Sequence, residues 1–241
     1  MSQPTPADDA TFERAWTIAD TVPGWLTRDQ ARLLHDEAQA LDPGAVALEI
    51  GSHQGRSTVV LAAALGRRGS RLVAMDPFVE GRLFGGATTR QKFERHVAQA
   101  GVAEYVELVP EYSTRARPGW SRPLDLLYID GKHDYWTLSD DLRWAVHLPP
   151  GAAVLVHDAF SSIGVTLGLL RHVLFSRTLS YERRAGSLAL FRVRPPRRAD
   201  RVRMVAELPW WVRNVGIKVL LRLRLRPVAR LVGHDSPYDP Y

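Results

Sequence analysis

The sequence contains no cysteine, which excludes disulfide bonds and thiolate metal sites and is typical of a protein from a reducing, cytosolic compartment. It also contains no run of about 18 apolar residues, so we expect no transmembrane helix. The first ten residues are polar, and we expect no signal peptide there. The 241 residues include 45% hydrophobic ones, enough to bury one large core.

Five short apolar runs alternate with helical stretches between residues 45 and 158. They occupy residues 45–50, 71–76, 105–110, 124–130 and 152–158, and Thr27 is the predicted N-cap of a helix before the first. Continuous apolar strands are typical of a parallel sheet that is covered on both faces. Residues 179–193 predict a hairpin around Ala185 and Gly186. The predicted fold class is therefore α/β: a doubly wound, Rossmann-like, seven-stranded sheet, mostly parallel, with an antiparallel C-terminal hairpin.

The first strand ends at Glu49 and is followed by a loop that contains Gly51 and Gly55. Glycines at these positions let the chain turn away from the strand and leave amide groups facing a ligand. The second strand ends at Asp76, where a carboxylate can accept both hydroxyls of a ribose. The spacing G-x-x-x-G lacks the middle glycine that admits a pyrophosphate. S-adenosylmethionine therefore fits better than NAD, and an NAD-dependent oxidoreductase is the more remote alternative.

Five segments resemble the successive motifs of class I S-adenosylmethionine-dependent methyltransferases. The resemblance covers about residues 25–193 and is closest to small-molecule O-methyltransferases of the catechol and macrolide-sugar types, with mycobacterial methylmannose-polysaccharide enzymes as one candidate branch. It implies that residues 51–57 hold the amino-acid part of the cofactor and that Asp76 binds the ribose. The segments are ALEIGSHQGRSTVVLA, AMDPF, VELVPEYS, LDLLYIDGKHDY and GAAVLVHDAF, and the implied cofactor-binding residues are Glu49, Gly51, Ser52, Gly55, Ser57, Asp76 and Ser113.

Asp130 and Asp158 end the fourth and fifth predicted strands, so both carboxylates are expected in one cleft. Two unpaired carboxylates raise each other's pKa, and a divalent cation relieves the repulsion. The resemblance favours Mg²⁺, because catechol-type enzymes hold it at matching strand ends. One ligand is missing, since Ala159 stands where that family has asparagine. His157, a water or no group at all could replace that ligand.

His133 lies three residues after Asp130, at the spacing where the catechol-type family places its catalytic lysine. A histidine suits proton transfer at neutral pH, so we expect His133 to be the general base, with Lys132 as the alternative. The predicted reaction is Mg²⁺-dependent methyl transfer to a hydroxyl of a sugar, or of a sugar-containing metabolite or polysaccharide. Tyr135 and Trp136 could stack on a sugar face. A catechol-like or other small natural product is the alternative acceptor.

Basic residues are concentrated near the C-terminus. Residues 192–231 hold 12 Lys and Arg against 2 Asp and Glu, whereas the rest of the chain holds 20 against 24. We expect a flexible or partly helical leader over residues 1–20, a methyltransferase domain over residues 21–194 and a basic amphipathic extension over residues 195–241. The extension either packs on the domain or on a second subunit in a homodimer, or lies on an anionic membrane. Nucleic acid is disfavoured, because the N/D-P-P-Y signature of amino-methylating nucleic-acid enzymes is absent.

The segment over residues 79–93 is the predicted lid of the cleft. Its glycines at 81, 85 and 86 would allow it to fold over a ligand, and Arg82 and Arg90 offer hydrogen bonds to an oxygen-rich acceptor.

Overall fold

Seven strands form one sheet in the part of the chain that the computed structural model describes, residues 6–80 and 86–233. They are β1 (Val46–Ile50), β2 (Arg71–Met75), β3 (Val106–Val109), β4 (Leu126–Ile129), β5 (Ala153–Val156), β6 (Leu179–Ala185) and β7 (Leu188–Val193). Their spatial order is β3-β2-β1-β4-β5-β7-β6. The first five strands in this order, from β3 through β2, β1 and β4 to β5, pair in parallel. Strand β7 is antiparallel to both β5 and β6. The predicted fold class, including the hairpin, is confirmed.

Helices cover both faces of the sheet and continue beyond its last strand. They are α1 (Pro6–Ala19), α2 (Arg28–Gln39), α3 (Arg56–Gly66), α4 (Ala87–Gln99), α5 (Ser113–Ala116), α6 (Tyr135–Asp141), α7 (Ile163–Leu169), α8 (Arg198–Val205), α9 (Leu208–Arg222) and α10 (Arg226–Leu231). Short 3₁₀ segments lie at Ala103–Tyr105, Arg117–Gly119 and Leu142–His147, and a π-helical turn at Leu170–Leu174 extends α7. None of the described helices is long and apolar enough to span a membrane.

The central strand β4 is buried on both faces, which explains its uninterrupted apolar sequence. Leu126 and Tyr128 point into the hydrophobic core on one side of the sheet, and Leu127 and Ile129 point into the core on the other side. Successive side chains of a strand alternate between faces, so a strand between two cores needs apolar residues at every position.

Backbone hydrogen bonds continue the parallel ladders one residue past the strands. Gly51 N donates to Met75 O at 2.9 Å, Asp130 N donates to Ile50 O at 2.8 Å, and His157 N donates to Ile129 O at 2.9 Å. These bonds align the residues after β1, β4 and β5 along one edge of the sheet. The edge is the carboxyl end of the strands, where ligands bind in open α/β sheets.

Within the leader that the sequence predicts to be flexible or partly helical, residues 6–19 form α1. Phe12, Ala15 and Ala19 are buried against the domain, and the Arg32 guanidinium lies 5.1 Å from the centre of the Phe12 ring. The apolar side chains lie at helical spacing, so burying this stripe stabilises the helix. Residues 1–5 lie outside the described part of the chain.

The basic extension packs on the domain at its beginning. Glu207 accepts hydrogen bonds from Tyr181 Oη and Arg184 Nε, both at 2.7 Å, and the Arg184 guanidinium lies 3.9 Å from the centre of the Trp210 ring. Met204 is buried in the core. The first part of the extension therefore packs against β6 and the hydrophobic core. Of the predicted lid, residues 81–85 lie outside the described residues, and Arg90 is in α4, where it pairs with Glu94 at 2.9 Å.

Replacing Gly51 with alanine is expected to destabilise the protein strongly. A Cβ at Gly51 (φ +90°) would lie 2.2 Å from the backbone oxygen of Asp130, whereas one at Gly44 (φ +82°) would meet nothing within 4 Å. Gly44→Ala is therefore a matched control that carries only the strain of a left-handed backbone, about 1–2 kcal/mol. Gly51→Ala should cost roughly 4 kcal/mol or more. Urea unfolding measures both variants, and equal losses would contradict a steric limit at Gly51.

Candidate active site

The loop after β1 is connected to the end of β2 through Asp76. The Asp76 carboxylate accepts a hydrogen bond from His53 N at 2.9 Å and one from Phe78 N at 2.8 Å. Gly55, at φ +92°, turns the loop into α3. The structure thus brings together three of the predicted cofactor positions, Gly51, Gly55 and Asp76, at the carboxyl edge of the sheet.

Glu49 lies beneath this loop and is fully buried. Its carboxylate accepts hydrogen bonds from Ser57 Oγ and Thr58 Oγ1, which fixes the first turn of α3 to the end of β1. Burial raises the pKa of Glu49 to about 7, even though the hydrogen bonds from both hydroxyls lower it. Glu49 and Ser57 therefore hold the shape of the loop, and their direct contact with a cofactor stays a prediction.

Gln54 Oε1 in the loop is buried without a hydrogen bond of good geometry, whereas the buried Ser52 side chain interacts with Glu49 and lowers its pKa. Buried polar atoms are rarely left unpaired, so Gln54 Oε1 fits a polar ligand at the loop. Ser113 is placed differently, because its hydroxyl donates to Asp141 in α6. Burial raises the pKa of Asp141 to about 6, although the Ser113 bond lowers it. The position of Ser113 near an adenine stays a prediction.

A cluster of two carboxylates and two histidines lies after β4 and β5. His133 Nδ1 is 3.0 Å from Asp158 Oδ2, and His133 Nε2 is 3.6 Å from Asp130 Oδ1. His157 Nδ1 is 3.3 Å from Asp130 Oδ1 and 3.7 Å from Asp158 Oδ2. Each carboxylate is thus paired with histidines.

Opposite charges at these distances shift the titration of all four groups. Burial alone would raise the pKa of Asp130 and of Asp158, but the two histidines outweigh it and hold both pKa values below the usual range. Burial alone would lower the pKa of His133, but hydrogen bonds and charges from both carboxylates raise it to about 10. The pKa of the buried His157 is raised for the same reason. The cluster therefore favours the positively charged form of both histidines and the negatively charged form of both aspartates.

Neighbouring residues fix the orientation of the cluster. Tyr128 Oη donates to Asp130 Oδ2 at 2.9 Å, and Ser161 Oγ donates to Asp158 Oδ1 at 3.0 Å. His157 Nε2 is 3.3 Å from Gln30 Oε1, which leaves Nδ1 of the same ring facing the carboxylates. Gln30 also accepts a hydrogen bond from Thr27 N in the capping box of α2. The predicted N-cap at Thr27 is confirmed.

The backbone around the cluster is held by α7 and α9. Ser162 Oγ donates to His133 O at 3.1 Å, and a Cβ at Gly164 would lie 2.8 Å from that oxygen. Asp158 has a left-handed backbone, with φ +55°, and Asn214 Nδ2 in α9 donates to Phe160 O at 3.1 Å in the same turn. The extension therefore contacts the turn that carries Asp158.

Two contacts of the site could not be predicted from local sequence patterns, and the alternative general base, Lys132, pairs with a residue outside the cluster. Gln30 is 127 positions from His157, and Asn214 is 54 positions from Phe160. Because the partners are so far apart in the sequence, no short sequence motif predicts either contact. Lys132, the alternative base, pairs with Asp134 at 2.8 Å, and its side chain is 68% exposed.

Comparison with known proteins defines the class. Residues 48–159 match the family model described as a methyltransferase domain. Cofactor-bound Rv0187 from MTB aligns with a TM-score of 0.59 and 22% identity, covering 80% of this chain and 100% of that one. An O-methyltransferase from Bacillus cereus in complex with SAH gives 0.57 and 19%, covering 79% and 92%. TomG, an O-methyltransferase from Streptomyces achromogenes involved in tomaymycin synthesis and bound to SAM, gives 0.55 and 23%, covering 80% and 92%.

The sheet order and these matches define a class I methyltransferase fold. Residues 48–159, which begin in β1 and end in the turn after β5, match the methyltransferase-domain model. That span includes every predicted site residue, from Glu49 to Asp158. The alternative of an NAD-dependent oxidoreductase is set aside by the family match.

Glu49→Gln is expected to remove a pH dependence of stability. Because the folded-state pKa of about 7 lies above the ordinary value of 4.5, the folded protein binds the proton more tightly than the unfolded chain does. This stabilisation is complete below pH 4.5 and is lost as the pH rises to about 7. The loss amounts to about 3 kcal/mol. Urea unfolding of both proteins between these pH values measures it, and parallel curves would contradict the raised pKa.

Proposed function

We propose that this protein is an S-adenosylmethionine-dependent methyltransferase that transfers the methyl group to a hydroxyl oxygen of a sugar or a sugar-containing metabolite or polysaccharide. The observation that carries the proposal is the cluster at the sheet edge, where ligand atoms of Asp130, His133 and Asp158 lie within 4.8 Å of one another. A base beside carboxylates suits the removal of a hydroxyl proton. The Bacillus cereus protein and TomG, both O-methyltransferases by name, support the choice of oxygen.

The loop after β1 fits the cofactor in its donor set. Gln54 Oε1 is available for its polar groups, and the Asp76 carboxylate, which accepts a hydrogen bond from His53 N in that loop, has the chemistry to accept ribose hydroxyls. The bound cofactor supplies a methyl group on a positively charged sulfur. The protein's task is to hold an acceptor oxygen in line with that methyl group and to remove the proton of the acceptor.

His133 is the proposed base. In its neutral form, Nδ1–H donates to Asp158 Oδ2, which leaves the lone pair on Nε2 for the proton of the acceptor hydroxyl. As the oxygen–carbon bond forms and the carbon–sulfur bond breaks, the hydroxyl proton moves to Nε2. The imidazolium that results lies between Asp158 and Asp130, whose charges stabilise it.

The same carboxylates fit a divalent cation, for which the sequence predicts Mg²⁺. Asp130 and Asp158 would hold it, and when bound it would fix the acceptor oxygens and lower the pKa of the hydroxyl. With no cation, the two carboxylates raise the pKa of His133 to about 10, which keeps the ring protonated at neutral pH. Neutralising their charge would lower that pKa toward the range in which a histidine accepts a proton.

His157 is the proposed replacement for the ligand that is missing at Ala159. When His157 Nε2–H donates to Gln30 Oε1, Nδ1 carries the lone pair and lies 3.3 Å from Asp130 Oδ1. That nitrogen is buried and makes no hydrogen bond of good geometry. Metal-binding histidines have their second nitrogen fixed in this way. A nitrogen ligand also makes Mn²⁺ a useful comparison with Mg²⁺.

A sugar acceptor is supported by the exposed ring of Trp136 and the partly buried ring of Tyr135, which follow the proposed base in the sequence. Trp136 is 76% exposed, and its ring lies 5.0 Å from that of Tyr135 in an edge-to-face pair. Both follow His133 within three residues at the start of α6. Flat apolar surfaces of this kind stack on the apolar faces of sugar rings.

His133→Ala is expected to lower the rate of methyl transfer by roughly 10²- to 10⁴-fold, because the acceptor then lacks its base. The assay follows label from the cofactor into a panel of sugars and polysaccharide precursors. Calorimetry should show unchanged SAH binding, since residues 51–57 are untouched. His147→Ala removes a histidine outside the cluster and serves as the control. Wild-type turnover in His133→Ala would remove His133 from the mechanism.

Chelation by EDTA is expected to abolish methyl transfer, and added Mg²⁺ or Mn²⁺ should restore it. Titration of each metal into the purified protein separates ligands from the base. Asp158→Asn and His157→Ala should weaken metal binding by roughly 10- to 100-fold, whereas His133→Ala should leave it nearly unchanged. Full activity in EDTA would contradict the metal, and a loss of metal binding in His133→Ala would make that residue a ligand.

A further inference from the structure

The C-terminal helices carry a basic and apolar surface that the reaction does not use. Residues 208–233 contain five arginines, one lysine and no acidic residue. Their charge of +6 equals the formal net charge of the whole chain, so all other residues together are neutral. We call the exposed part of residues 212–232 the basic surface.

Helix α9 has two different faces. On the inner face, Ile217 is buried and Asn214 contacts Phe160 O. On the outer face, Val212, Val219 and Leu223 are 63%, 52% and 62% exposed. The spacings of seven and four residues place these three side chains in one stripe along the helix. The packing of α9 on the domain therefore leaves this second, apolar stripe exposed to solvent.

Helix α10 extends the same surface. Leu231 is 87% exposed, and Val228 and Val232 are 41% and 43% exposed. Arg213 holds α10 near α9 by donating to the backbone oxygens of Val232, at 2.8 Å, and Gly233, at 2.6 Å. The exposed side chains of Arg222, Arg224 and Arg230 accompany these apolar groups.

We propose that the basic surface docks on an anionic lipid bilayer. Leucine and valine side chains can enter the headgroup region while arginines bind the lipid phosphates, as in helices that lie in the membrane plane. Charge complementarity favours an anionic bilayer over a second copy of this chain as the partner of the basic surface. A symmetric dimer through this face would bring together two copies of the exposed arginines, Arg222, Arg224 and Arg230 among them, and residues 208–233 contain no acidic residue to offset the repulsion. Nucleic acid would match the charge but would leave the exposed leucines unburied.

This inference does not rest on the proposed function, so its test needs no acceptor. The full chain is sedimented with vesicles of phosphatidylcholine alone and with equimolar phosphatidylcholine and phosphatidylglycerol. Binding is expected only to the anionic vesicles. It should weaken as salt rises from about 0.1 M to about 1 M, where the Debye length falls from about 10 Å to about 3 Å.

Two variants test the two components of the surface. Arg222→Gln with Arg230→Gln should weaken partitioning roughly 25-fold, since each cation near an anionic surface contributes about five-fold. Leu223→Asp should weaken it by at least about ten-fold through lost insertion and added charge. The controls are Arg68→Gln with Arg143→Gln, which removes the same charge elsewhere, and Val146→Asp at a side chain 76% exposed. Both should bind like wild type.

Each other outcome would overturn the proposal. These are equal binding to neutral vesicles, equal losses in the control variants, or no binding at all. A dimer in light scattering that Leu223→Asp converts to a monomer would assign the face to a second copy. Tight RNA binding that Leu223→Asp leaves intact, without vesicle binding, would assign the face to nucleic acid. Circular dichroism and the thermal midpoint of each variant verify that these exposed substitutions leave the fold unchanged.

Discussion

The close contact between the ends of β1 and β4 is the constraint on which the site depends. Asp130 N donates a hydrogen bond to the backbone oxygen of Ile50, the last residue of β1. Gly51, the first residue after β1, lies so near Asp130 O that a side chain would not fit between them. The loop that begins at Gly51 must therefore turn directly over the start of the segment that carries His133. The pairing of two central strands thus brings the predicted cofactor loop next to the segment of the proposed base.

The histidine–carboxylate cluster is neutral when both imidazoles are in their positively charged, doubly protonated form, and a divalent cation could take over that charge balance. Burying two carboxylates is costly unless each finds a positive partner. In the structure, His133 and His157 supply that charge. A metal ion at Asp130 and Asp158 would release protons from the histidines, because metal and protons compete for the same groups. The proposed base and the proposed metal are thus linked, since His133 becomes an effective base when the carboxylates are neutralised by something else.

The sequence predicted most of the fold, because buried strands and turn residues leave local signals. The five parallel strands, the hairpin at Ala185 and Gly186 and the N-cap at Thr27 were all found from such patterns. The proximity of Asp130, His133 and Asp158 follows from strand ends that share one edge. The pairing of His157 with Gln30 could not be predicted, because it depends on how α2 packs across β5 and on the rotation of one ring. Nor does any local pattern specify the left-handed backbone at Asp158.

The C-terminal extension was expected to pack on the domain or on a second subunit, or to lie on a membrane, and in the structure α9 links the site to the outer surface of the protein. Asn214 holds Phe160 O in the turn of Asp158, and the half-buried Lys218, one turn further on, interacts electrostatically with that carboxylate. Burial lowers the pKa of Lys218, and Asp158 opposes the shift. The stripe of Val212, Val219 and Leu223 lies on the other side of the same helix. Because a helix moves as a rigid unit over this length, a partner that seats on the stripe would also restrain the turn that carries Asp158.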